Sequence, residues 1–167
     1  MKDAPLLTGA ARSLFRLVAC FALCYVIAAI EGAATAPQIA GWYATLAKPA
    51  WTPPNLAFPI AWTILYGLMA IALWRLWDRA PASAARRSAL ILFLVQLALN
   101  ASWSPVFFGL HAIWAGFAII LLLVGTLAAT MWQSAKADRI AAFLLAPYLA
   151  WISFAAALNG AVALLNS

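Results

Sequence analysis

Residues 89–133 read ALILFLVQLALNASWSPVFFGLHAIWAGFAIILLLVGTLAATMWQ, and this stretch decides the kind of fold. Its one ionisable side chain is His111, at its centre. The uncharged runs on either side, 89–110 and 112–133, each supply the roughly 20 apolar residues that a helix needs to cross the hydrocarbon core. With so tight a connection near 109–111, the two helices must be antiparallel neighbours.

Outward from this pair, three more uncharged runs occur at 17–30, 56–74 and 140–167. With their flanks they predict an all-α, integral membrane bundle of five transmembrane helices in a single domain covering 1–167. The spans fall at about 14–31, 55–76, 88–109, 112–133 and 139–165, and a loop occupies 32–54. Composition agrees: 68% of residues are hydrophobic, 8% are charged and the mean hydropathy is +0.98. A soluble domain carries about 25% charged residues.

The net charge of +6 is no nucleic-acid footprint, because the basic residues are scattered between apolar runs. Five spans place Lys2, Arg12, Arg16, Arg75, Arg79, Arg86, Arg87, Lys136 and Arg139 on one side and Lys48 alone on the other. The positive-inside rule then puts the N-terminus in the cytoplasm, as in a bacterial cell membrane, with the long loop and the C-terminus outside. The first run also has the character of a secretory signal, with Arg12 and Arg16 before it and Ala34-Thr35-Ala36 after it.

Polar groups are few. The uncharged runs of spans two to five contain no acid or base, and Glu31 falls at the end of span one, a position equally compatible with the membrane interface, which argues against an ion-coupled pump. Cys20 and Cys24, one turn apart on one helix, are small buried hydrophobes, since i and i+4 positions do not meet disulfide geometry. His111 reads as an interfacial polar residue, and an axial haem ligand would need a better enclosed site. No metal cluster, phosphate loop or hydrolase elbow is present.

Aromatic residues are abundant instead: nine Trp, nine Phe and four Tyr. Gln96, Asn100, Trp103 and Phe107 share one helical face on span three. Trp62, Tyr66 and Met69 do so on span two, and Pro147, Trp151, Phe154 and Leu158 on span five. The plain reading of these stripes is bundle packing, with Gln96, Asn100 and Asn159 as interhelical hydrogen-bonding groups. Indoles, however, hold helices apart where small residues would let them close, so converging Trp and Tyr faces predict a cavity suited to a flat hydrophobic ligand. The 32–54 loop, with Lys48-Pro49 and Pro53-Pro54, would cover its mouth.

The run Trp42-Tyr43-Ala44-Thr45-Leu46-Ala47-Lys48-Pro49-Ala50-Trp51-Thr52-Pro53-Pro54, followed by Phe58, Trp62 and Leu65-Tyr66, resembles the signature of the TspO/MBR family of tryptophan-rich sensory and translocator proteins. The resemblance continues through Gln96-Leu97-Ala98-Leu99-Asn100, Trp103, Phe107-Phe108-Gly109, Pro147-Tyr148-Leu149-Ala150-Trp151, Phe154-Ala155 and Leu158-Asn159. It implies that the first helix is retained as part of a five-helix bundle. It also implies a membrane receptor or carrier for porphyrins such as protoporphyrin IX, with no obligatory cofactor, often as a homodimer.

By motif position, the ligand wall would be Trp62, Tyr66, Asn100, Trp103, Phe107, Trp151, Phe154, Ala155 and Leu158, with Trp42 and Trp51 in or beneath the lid. Two alternatives come with the resemblance: light-dependent porphyrin breakdown at Trp62 and Trp151, and a regulatory role through partner contacts. The chain departs from the family pattern at Leu56, where many members carry another Trp. Asn159-Gly160-Ala161-Val162 also lacks the Tyr and basic residue of the animal sterol motif.

Overall fold

The computed structural model describes residues 9–167; Lys2, counted above with the basic side, lies outside them. The regular elements of the described chain are all helical, in the order α1 (Gly9–Ile39), the short α2 (Trp42–Thr45), α3 (Ala57–Trp74), α4 (Ala84–Ser104), α5 (Ile113–Ala137) and α6 (Arg139–Leu165). α3 and α4 each run on into a π-helical turn, Arg75–Arg79 and Pro105–Gly109. Counting those turns, five helices are long and apolar enough to cross a membrane. Large apolar side chains such as Leu14, Phe15, Leu122 and Phe143 lie exposed on their outer faces. That surface is stable only against lipid or another apolar partner, so the chain is a multi-pass membrane protein.

The helices close into a ring. α1 packs on α3, α3 on α6, α6 on α5 and α5 on α4, and α4 with its terminal π turn returns to α1. The α4–α5 neighbours are the antiparallel pair expected from their connection.

The boundary of the first span differs from the sequence expectation. α1 continues to Ile39, so eight residues assigned to the lid loop are helical. Pro37 is tolerated because it sits in the last turn, where only one helical hydrogen bond is lost to its missing N–H. Glu31 therefore lies within the helix rather than at its end, and is 7% exposed.

At the basic end, ion pairs lock the helices. Arg16 Nη1 lies 3.0 Å from Asp78 Oδ1, joining α1 to the turn after α3. Arg75 Nε donates to Asp138 Oδ2 at 3.0 Å, while Asp138 Oδ1 accepts from the N–H groups of Ile140 and Ala141 at the start of α6. Below them lies the main buried core, around Met69, Phe93, Leu127, Leu145 and Tyr148. The opposite half is less tightly filled, and the site lies there.

Candidate functional site

A cavity of about 430 Å³ opens between α1, α3, α6 and the C-terminal end of α4, under the 40–56 loop. Its volume is that of a small-molecule site. Of the residues chosen from sequence, it brings together Trp62, Tyr66, Trp103, Phe107, Ala155 and Leu158.

The π turn at Pro105–Gly109 explains part of this wall. Pro105 cannot donate a backbone hydrogen bond, and the widened turn closes with the Leu110 N–H on the Pro105 carbonyl at 3.0 Å. Consecutive Phe107 and Phe108 lie within this turn, and both are buried and reach the cavity. Trp103 stacks on Phe107 with centroids 5.0 Å apart, and its Nε1 donates to Asn159 Oδ1 at 3.1 Å. Asn159 in turn donates from Nδ2 to the Ile113 carbonyl. One asparagine thus fixes an indole of the wall and ties α6 to α5.

Asn100 and Trp151 stand behind this wall. They line a smaller cavity of about 40 Å³, which shares Trp62, Trp103 and Ala155 with the larger one. Asn100 Nδ2 donates to the Tyr66 hydroxyl at 2.8 Å. Trp151 packs edge-on against Phe58, with its buried Nε1 unpartnered.

Phe154, Trp42 and Trp51 line neither cavity. Phe154 sits between Trp151 and Trp51, and Trp51 is half exposed. Trp42 lies edge-on to Phe107 and stacks on His111 at 4.2 Å. His111 has φ 55, the left-handed conformation that lets α4 turn into α5. Its Nε2 pairs with Gln38 Oε1 at 3.2 Å, so the histidine is a latch between the lid and α1.

The expected role of the amides holds for Asn100 and Asn159. It fails for Gln96, which is fully buried with neither amide atom hydrogen-bonded.

Most of what the sequence reading missed lies on α1. Ala28, Glu31, Gly32 and Thr35 line the cavity at helical spacing, and Tyr25 joins them while donating to the Thr63 carbonyl. Thr35 Oγ1 meets Ser104 Oγ at 3.3 Å, bridging α1 and α4 beside the cavity. The i, i+3, i+4, i+7 series was available in the sequence, but only to a reading that carried the helix past Glu31.

The lid is held from both sides. Lys48 Nζ donates to the carbonyls of Tyr43 and Leu46 and lies 4.7 Å from the Tyr43 ring centroid. Tyr43 lines the cavity from above, and burial pushes its hydroxyl above the ordinary phenol range, so it stays protonated.

The TspO/MBR family model matches residues 20–165. The tryptophan-rich protein TspO of Chlorobaculum tepidum is 37% identical over 156 residues, covering 93% of this chain and 98% of that protein. Protein CrtK of Rhodobacter capsulatus is 38% identical over 147 residues, 87% of this chain and 92% of its own length. The human translocator protein is 37% identical over 119 residues, 71% and 70% of the two chains. A match across nearly the whole bundle, lid and cavity wall included, settles the kinship: the chain belongs to the TspO/MBR family.

Proposed function

We propose that this protein is a membrane receptor or carrier for porphyrin-like tetrapyrroles and other flat hydrophobic molecules, bound inside the bundle beneath the lid. The observation that carries this reading is the convergence of Trp62, Tyr66, Trp103 and Phe107 on one cavity of about 430 Å³. Aromatic faces bury and stack a flat ring, and Ala155 leaves the α6 side open to it. The gathering of basic residues at the opposite end supports an orientation in which the lid faces away from the cytoplasm. The outer apolar faces leave room for the homodimer that the family resemblance implies.

Titration of the purified protein with protoporphyrin IX, followed by Trp fluorescence, tests the reading. Saturable quenching is expected, weakened when Trp62→Ala and Trp151→Ala are combined. Unchanged affinity in that double variant would remove the proposed site.

The position of Trp62 on the cavity wall also favours a second reading, light-dependent porphyrin breakdown with dioxygen as the oxidant. Illuminating the complex separates the two. A binder alone yields no product beyond what free porphyrin gives under the same light.

A further inference from the structure

The cavity wall contains one carboxyl group, Glu31. It is 7% exposed, and its Oε1 is buried without a hydrogen-bond partner. No Lys, Arg or His lines the cavity, and the ion pairs among the described residues lie at the far end of the bundle.

The Tyr66 hydroxyl belongs to the same cavity wall. That hydroxyl already accepts the Asn100 Nδ2–H at 2.8 Å, so its single proton is free to donate onward. Glu31 Oε1 remains an acceptor without a donor. Next to it, Gly32 has no side chain, and nothing lies within 4 Å of where one would begin, so a ligand group has room beside the carboxyl.

A buried acceptor without a donor is costly, and more so when ionised. A ligand that brings a positively charged N–H relieves that cost. The same ligand meets the faces of Trp62, Tyr66 and Trp103, which attract a cation.

We infer that Glu31 makes this cavity selective for hydrophobic amines, whose protonated nitrogen pairs with Oε1 while the apolar body fills the aromatic wall. The inference rests on the reading of the cavity as a ligand site.

The test uses a matched pair of probes, 1-(dimethylaminomethyl)naphthalene and its uncharged isostere 1-isobutylnaphthalene. Equilibrium dialysis of the full chain in detergent, against protein-free micelles, gives both affinities. The wild-type protein is expected to bind the amine about tenfold more tightly than the hydrocarbon, the scale of one hydrogen bond to a charged group. In Glu31→Gln that ratio is expected to fall to about one, with hydrocarbon binding as the internal measure of an intact cavity. Equal affinities in the wild type overturn the inference, and that comparison needs no variant to fold. A preference that survives in Glu31→Gln overturns it as well. If neither naphthalene probe nor protoporphyrin IX binds, the ligand-site reading falls and takes this inference with it. Hydrocarbon binding without amine preference removes the role of Glu31 alone.

Discussion

The side-chain amide of Asn100 on α4 donates from Nδ2 to the hydroxyl of Tyr66 on α3 at 2.8 Å, and both residues are buried. The bond joins two helices that meet little elsewhere along their length, and it does so beside the cavity. Tyr66→Phe removes the acceptor and leaves the Asn100 amide without it, at an expected loss of about 1–2 kcal/mol in unfolding in detergent. A double-mutant cycle with Asn100→Ala should return a coupling of about 0.6 kcal/mol or more, the scale of hydrogen bonds between transmembrane helices. Zero coupling would show that the bond contributes nothing to the bundle.

Trp62 and Trp151 occupy the same aromatic region but different places in it. Trp62 lines both cavities, whereas Trp151 reaches only the smaller one. Trp62→Ala removes a stacking face from the ligand and is expected to weaken protoporphyrin IX binding by about tenfold, through stacking and apolar burial together. Trp151→Ala acts through the packing of Phe58 and Phe154 and should weaken binding less while lowering stability more. Fluorescence titration and thermal unfolding of the two single variants check the split. Equal losses of affinity would place Trp151 in the ligand wall after all.

The five spans were legible because hydropathy over about 20 residues is a one-dimensional signal. So were the faces of α3, α4 and α6, from i, i+3 and i+4 spacing. Depth was not legible: spacing places Trp62 and Trp151 on inward faces but does not say which reaches the larger cavity. The π turn at Pro105–Gly109, which carries the buried Phe107 and Phe108, was also hidden, since it is a local departure from regular spacing. The end of α1 was missed for a different reason. A carboxyl followed by Gly32 and Pro37 looks like a helix end, and only the packing of α1 on α3 and α4 shows that the helix goes on.

Asp138 is the single residue between α5 and α6, and it serves both helices and a third. Its Oδ1 accepts from Ile140 N–H at 2.9 Å and Ala141 N–H at 3.1 Å, and its carboxylate pairs with Arg75 after α3. The pair is well covered, with side-chain exposures of 25% for Arg75 and 8% for Asp138. Asp138→Ala is expected to cost about 2 kcal/mol in detergent unfolding, from loss of the cap and of a partly shielded ion pair. Asp138→Asn keeps a capping oxygen and should recover about half of that. If Asn proves no better than Ala, the ion pair rather than the cap carries the effect.

Asn166, just past the end of α6, holds the lid at one backbone position. Its Oδ1 accepts the Ala47 N–H at 2.9 Å, while Nδ2 donates to the Ala47 carbonyl at 2.9 Å and to the Val162 carbonyl at 2.8 Å. These bonds lie at the exposed end of the molecule, so water replaces them at little cost to global stability. Asn166→Ala is expected to change unfolding by less than about 1 kcal/mol. Local opening is another matter, because these are hydrogen bonds between the lid backbone at Ala47 and the end of α6, beside the ring contacts of Trp42 and Tyr43 with Phe107, Phe108 and His111. Amide exchange over residues 43–50 should therefore accelerate in the variant while exchange in α3 to α6 stays the same. Dissociation of bound protoporphyrin IX should accelerate with it. Faster exchange without faster dissociation would mean that ligand leaves between the helices into the bilayer, and that the lid is not its gate.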